Sequence, residues 1–196
     1  MVVGLTGGIG SGKTTVAKIF DSYDNVIVYN ADIEAKKLMN SSDIIKQKLI
    51  TEFGNKAYVN NELNRSLIAK IAFNNKKMLN TLNSIVHPEV YKHLHSFVKN
   101  NQDKSYIIYE NAILFENKSD FFCDKIITVT APLKIRINRV MKRDNVSEKN
   151  VKNRIKNQWK ENLKTIQSNY IVINEKLKKT ESQVIKIHNK IINRLQ

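Results

Sequence analysis

An α/β fold, a parallel sheet flanked by helices, is predicted by three observations. The first is a glycine-rich turn near the N-terminus. Apolar residues 2–5 precede it, and Val16, Ile19, Phe20 and Tyr23 follow it at helical spacing. The second is a set of four more short runs rich in Val, Ile and Tyr, at 26–29, 106–109, 125–129 and 170–173, which read as buried strands. The third is the helical patterning between them. It gives the order βα–β–helices–β–βαα–βα, in which each strand is separated from the next by the crossover that parallel pairing needs. That makes a five-stranded parallel sheet.

The first turn reads Gly7-Gly8-Ile9-Gly10-Ser11-Gly12-Lys13-Thr14 and fits G-x-x-x-x-G-K-[ST], the phosphate-binding P-loop. Glycine lets the backbone turn so that successive N–H groups point at phosphate oxygens. Lys13 is placed to reach the β/γ-phosphates, the Thr14 hydroxyl to hold Mg²⁺, and the following helix N-terminus to face the anion. Five of the six glycines fall within the first twelve residues. An ordinary glycine-rich turn would need neither the Lys-Thr pair nor this concentration. The turn is expected to be a nucleoside-triphosphate site.

The 196 residues fit one domain with elaborations, large enough to bury a core without metal or disulfide staples. The single Cys123 can make no intramolecular disulfide and suits a reducing compartment. No signal peptide and no apolar run of membrane-spanning length is legible. The formal charge of +15 invites a nucleic-acid reading. Yet 27 of the 33 basic residues are Lys, and 25 Asn are spread along the chain. That is the pattern of solvated faces rather than of one basic patch. A polyanionic small substrate would also suit the charge.

After the first helix, strand 26–29 ends in Asn30-Ala31-Asp32. An acid just past a strand's C-terminal end sits where parallel sheets place ligand groups, although Asp32 could equally cap the helix beginning at Ile33. Residues 33–100 read as almost wholly helical. Ile45, Leu49 and Phe53 repeat every fourth position before a stop at Gly54, a small turn falls at 57–61, and His87-Pro88 is expected to end a helix. So long a helical stretch between two strands exceeds a crossover and reads as an insertion for a second substrate. Further on, Ala131-Pro132 opens a helix to about Arg143, with proline in its first turn. Ser147 caps another, running to about Thr165, and Thr180-x-x-Gln183 reads as a capping box for the last.

Arginine is scarce, and Arg136, Arg139 and Arg143 fall at i, i+3 and i+7 on one stripe beside Leu133, Ile137 and Val140. A planar, permanently charged fork suits phosphate oxygens, so the stripe reads as a closing lid, with a solvated basic face as the alternative. No ordinary strand-end Asp is present for the metal. Glu110 is the nearest candidate to hold Mg²⁺ through water, or is a plain strand-end acid. The histidines read as structural. Asn117-Lys118-Ser119-Asp120 matches the guanine motif N-K-x-D, but no D-x-x-G exists, because the only glycine after Gly12 is Gly54, preceded at the required position by Thr51. The match reads as a loop.

Together these pieces resemble the dephospho-CoA kinase family over nearly the whole length. The resemblance rests on residues 5–14, then Ala31-Asp32 with Ala35, Phe53-Gly54, Asn64-Arg65, His87-Pro88 and Leu114-Phe115-Glu116. Arg139-x-x-x-Arg143-Asp144, Arg154 with Gln158, and Ile173-Asn174 complete it. It implies a P-loop NTPase fold with a helical acceptor-binding region (about 33–103), a helical lid (about 132–165), and a core of about 1–32, 104–131 and 166–196. It also implies ATP, Mg²⁺ and transfer to the ribose 3′-hydroxyl of dephospho-CoA. The chain is further expected to be cytoplasmic, with no nucleic-acid or membrane partner, and a monomer is favoured although the sequence does not reveal the oligomeric state. By the same resemblance Lys13, Asp32 and Arg139 are catalytic, with Asp32 as base. ATP would meet Gly8, Gly10, Ser11, Gly12, Lys13, Thr14, Thr15, Arg143 and Asn174. The acceptor would meet Asp32, Arg65, His87, Glu110 and Glu116, and Thr14 would serve the metal. The family often shows Asp-Ala-Asp where this chain has Asn30-Ala31-Asp32. Other small-molecule or nucleotide kinases share the P-loop and lid, and an NTP-dependent nucleic-acid-binding protein is the alternative of another class.

Overall fold

A computed structural model describes residues 1–193, with the side chains of Phe73 and Asn74 left aside. The last three residues of the expected core segment lie outside that range. Along the chain run β1 (Val2–Thr6), α1 (Lys13–Asp21), β2 (Val26–Asn30), α2 (Ala31–Ser41), α3 (Asp43–Phe53), β3 (Tyr58–Val59), β4 (Glu62–Leu63), α4 (Arg65–Asn74) and α5 (Lys76–Asn100). They continue with β5 (Tyr106–Glu110), β6 (Lys125–Thr130), α6 (Leu133–Asp144), α7 (Glu148–Lys156), α8 (Glu161–Ile166), β7 (Tyr170–Ile173) and α9 (Leu177–Ile192). The chain divides into two compact units, one of Met1–Tyr29 with residues from Asn101 onward, the other Asn30–Asn100.

The first unit holds the five-stranded sheet, in the order β2-β5-β1-β6-β7. β1 pairs in parallel with β5 and β6, and β6 with β7. Every residue of β1 is buried, as expected of a central parallel strand covered on both faces. On one face Val3 and Leu5 pack with Val16, Ala17 and Phe20 of α1 and with Val184, Ile187 and Ile191 of α9. Each of the Val, Leu, Ile and Phe side chains among them stabilises the fold by about 1.5–3 kcal/mol through burial. The chain leaves β1 at the carboxyl edge beside β6; it passes from β1 towards β2 on one side and from β6 to β7 on the other, and such a reversal is where ligands bind in these sheets.

The second unit is helical apart from the β3–β4 hairpin. Asn60 and Asn61 turn that hairpin with φ of 50° and 69°, the left-handed pair that matches strand twist. Gly54 ends α3 as expected, at φ 83°.

Four expectations need correction. Pro88 does not end a helix. α5 runs through it, because Ile85, Val86, Val90 and Leu94 on either side are all buried and their packing outweighs the lost backbone bond. Asp32 is not a cap: the Asn30 side chain accepts from the Ile33 N–H, and the helix starts at Ala31. The helix capped by Ser147 stops at Lys156 and a separate one begins at Glu161. Thr180 caps nothing. α9 starts three residues earlier, and the Thr180 hydroxyl donates to Asn174 Oδ1, while Gln183 bonds both backbone polar groups of Ile173. In smaller measure, Pro132 precedes α6 instead of entering its first turn, and Leu133 is 55% exposed rather than part of an apolar stripe.

Candidate active site

The turn between β1 and α1 is built by glycines where no other residue fits. Gly12 is the N-cap of α1 at φ 89°, and a Cβ there would lie 2.0 Å from the Asn174 amide nitrogen. Gly10, at φ 80°, would put a Cβ 2.4 Å from the Arg136 carbonyl oxygen. Lys13 folds back so that Nζ donates to the Gly7 carbonyl at 2.9 Å, arching its ammonium across the loop. From the far edge of the sheet, buried Asn174 donates to the Ser11 carbonyl at 2.8 Å, and Thr180 orients that amide.

Thr14, in the first turn of α1, donates its hydroxyl to Glu110 Oε1 at 3.0 Å. Glu110 closes β5 opposite Leu5 and is buried. A hydroxyl and a carboxylate thus meet beside the loop, both hard oxygen donors. Among the described residues no group of three or more His, Cys, Asp or Glu could hold a metal. The oxygen pair is nonetheless the donor set that suits Mg²⁺, which takes one or two protein oxygens beside waters and substrate phosphates.

The arginine stripe splits. Arg136 is 5% exposed: Nε donates to the Ile9 carbonyl at 3.0 Å and Nη1 pairs with Glu161, answering the burial that works against its charge. Arg139 lies at 3.5 Å from both the Ser11 and the Glu175 carbonyls. Arg143 is exposed and grips Asp144 with two bonds, at 2.7 and 3.2 Å, joined by Arg154 at 2.6 Å. The Arg143 bonds hold the Asp144 carboxyl below its usual range and raise the arginine. Thr15 is exposed beside Thr14 on α1.

Glu116 is engaged elsewhere. Its Oε1 accepts from the Trp159 N–H at 2.9 Å and pairs at 2.7 Å with Lys164, whose side chain is fully buried. Burial depresses the Lys164 ammonium, and Glu116 pulls it back up. Nothing in this Lys-rich sequence singled out Lys164 or Glu161, and Gln158 stood out only within the family resemblance. The Asn117-to-Asp120 stretch is a local turn, in which the Asn117 side chain accepts from the Ser119 N–H and hydroxyl.

The remaining candidates lie in the second unit. Asp32 sits exposed in the first turn of α2. Arg65 opens α4 directly after Asn64, whose side chain caps that helix. His87 lies mid-α5, with its ring 6.2 Å from Tyr91 and its pKa lowered by burial. No described helix is long and apolar enough to cross a membrane.

Against known proteins, the family model described as Dephospho-CoA kinase matches residues 1–179. A Fusobacterium nucleatum protein named Dephospho-CoA kinase is 36% identical over 163 residues, covering 81% of this chain and 83% of its own length. One of the same name from Porphyromonas gingivalis is 34% identical over 188 residues, covering 95% and 92%. A Thermus thermophilus crystal structure superposes with a TM-score of 0.85 at 27% identity, covering 97% of this chain and 96% of that one.

Proposed function

The chain belongs to the dephospho-CoA kinase family, and from that premise we propose that it transfers the γ-phosphoryl group of ATP to the ribose 3′-hydroxyl of dephospho-CoA, giving coenzyme A and ADP. The observation that carries the donor half is the β1–α1 turn. There Lys13 arches over a glycine loop, and Thr14 meets Glu110 at the carboxyl edge of the sheet.

The roles follow from the chemistry of each group. Loop N–H groups and Lys13 would bind the phosphates, and Lys13 would neutralise charge that grows on the transferring group. Thr14, with Glu110 through water, would hold Mg²⁺, which would supply charge neutralisation on the phosphates. Asn174 holds the Ser11 carbonyl through its side-chain amide, so its part in ATP binding would be through the loop. Arg139 and Arg143 on α6 would close on the nucleotide.

Asp32 is the proposed base. With Asn30 capping α2, its carboxylate is not needed for the helix and can take the 3′-hydroxyl proton. The hydroxyl oxygen then bonds the γ-phosphorus as the bond to the ADP oxygen breaks. Arg65 and His87 are proposed to contact the acceptor. Glu116 is bound to Lys164 and Trp159, so its contacts support a structural role instead. The proposal includes a cytoplasmic, monomeric enzyme without a nucleic-acid partner.

The test is ADP release with dephospho-CoA, AMP, CMP, shikimate or no acceptor. Stimulation by dephospho-CoA above all others is expected. Equal or greater stimulation by another acceptor would replace the substrate, and retention on DNA that falls steeply with salt would favour the nucleic-acid alternative.

A further inference from the structure

Ile9, the one apolar residue of the phosphate loop, is held at three points by the α6–α8 segment. Its side chain packs on the cluster of Ile137, Val140 and Val151. Its carbonyl accepts from Arg136 Nε at 3.0 Å. Its N–H donates to Gln158 Oε1 at 2.8 Å, across 149 residues of chain. Both backbone polar groups of Ile9 are therefore taken by side chains, in a loop whose Ser11 N–H is taken internally, by the Gly8 carbonyl at 3.0 Å.

The partner is itself pinned. Gln158 lies in the break between α7 and α8, and each side of it is fastened. The Trp159 N–H donates to Glu116, with its indole stacked on Phe115 at 5.7 Å. Glu161, opening α8, pairs with Arg136, and Lys164 pairs with Glu116. Two arginine or lysine charges and two carboxylates thus form a neutral, largely buried group that fixes where the Gln158 amide stands. This explains why the helix expected to run through 157–160 is interrupted. A continuous helix would carry Gln158 and the Trp159 N–H away from these partners.

We propose that Gln158 is a positioning residue for the ATP phosphates, acting through the Ile9 peptide. By occupying the Ile9 N–H it sets the orientation from which the loop's next N–H groups turn inward, and Arg136 fixes the same residue from the carbonyl side. The proposal rests on the ATP-binding reading above. A loop held in the bound shape before the nucleotide arrives avoids an ordering cost on binding. The Gln158 amide oxygen meets the loop at the Ile9 N–H, so its removal should act on ATP affinity and not on the acceptor.

The experiment compares the full chain as wild type, Gln158→Met and Gln158→Glu. Direct titration gives ATP affinity, steady-state assay gives KM for dephospho-CoA, and melting gives stability. Methionine keeps the length and loses the acceptor, whereas glutamate keeps an acceptor oxygen. Loss of one orienting hydrogen bond predicts ATP binding weaker by about 3- to 10-fold in the Met variant. KM for dephospho-CoA should stay within about twofold, and Glu should recover most of the loss. Wild type that fails to bind ATP would sink the ATP reading. Wild type that binds, with Gln158→Met within about twofold of it, would overturn the proposal alone. So would a parallel loss for both substrates that follows the melting temperature. Should the Met variant not fold, amide exchange at Ile9 in the wild type decides: a slow amide with and without ATP supports the proposal, and one exchanging freely without nucleotide contradicts it.

Discussion

Thr14 Oγ1 and Glu110 Oε1 stand 3.0 Å apart, joining the first turn of α1 to the last residue of β5 across 96 residues of chain. The bond places a carboxylate against the hydroxyl that the loop motif reserves for a metal. In the function proposed above, Glu110 at the end of β5 then serves the donor, and Asp32 in the first turn of α2 the acceptor. Asp32→Asn should lose roughly 10²–10⁴-fold in kcat with ATP affinity nearly kept. Glu110→Gln should instead raise the Mg²⁺ concentration needed for half-maximal rate. Near-normal turnover in the Asp32 variant, with collapse in the Glu110 variant, would reverse the assignment.

Lys13 bridges back to the Gly7 carbonyl and is the one cation of the loop itself. Its contribution should grow as charge moves onto the transferring phosphoryl group. Lys13→Ala is expected to lose roughly 10²–10³-fold in kcat, the scale of one preorganised electrostatic donor. Single-turnover transfer measures this directly, and a variant within a few-fold of wild type would take the loop out of the chemistry.

The three arginines of α6 should behave differently. Arg139 and Arg143 make long or exposed contacts, so alanine at either should slow transfer and leave melting nearly unchanged. Arg136→Ala would leave Glu161 and the Ile9 carbonyl without their buried partner and should destabilise the protein outright, by about 3–5 kcal/mol if it acts as other broken buried pairs do. Equal melting temperatures for all three variants would contradict this division.

Acid should weaken the packing of α9 against β5 and the turn after α1. The Tyr106 hydroxyl meets His188 Nδ1 at 2.7 Å, and Tyr23 stacks on the same imidazole at 3.8 Å. Burial lowers the His188 pKa. The folded state therefore binds this proton less well than the unfolded chain, and its stabilising share is present above the unfolded value of about 6.5 and lost as pH falls through the folded one. Melting of wild type and His188→Gln at about pH 7.5 and 5.5 should show the larger acid loss in wild type. A His188→Gln variant equally sensitive to acid would place the titration elsewhere.

How much was legible in the sequence depended on how local its cause is. The phosphate loop could be read because its glycines, lysine and threonine act within eight residues. The five strands were legible as short apolar runs. Pro88 misled, since a proline's local cost says nothing of the apolar residues packed on both sides of it. The break at 157–160 was invisible because its causes, Ile9 and Glu116, lie 149 and 43 residues from their partners. Thr180 and Gln183 had the spacing of a capping box, yet they serve Asn174 and Ile173, and spacing alone cannot tell the two uses apart. Asn30 stands where the resembled family often shows Asp, and its local purpose, capping α2, depends on where that helix starts.

The most direct test is the product formed from ATP and dephospho-CoA. After incubation of the full chain with both and Mg²⁺, phosphorus NMR and mass spectrometry of the purified product should show one added phosphoryl group, as a monoester on the ribose 3′-oxygen, with ADP in equal amount. Lys13→Ala should form it far more slowly. ATP consumed with no phosphorylated acceptor, or a phosphate carried at any other position, would contradict the assignment.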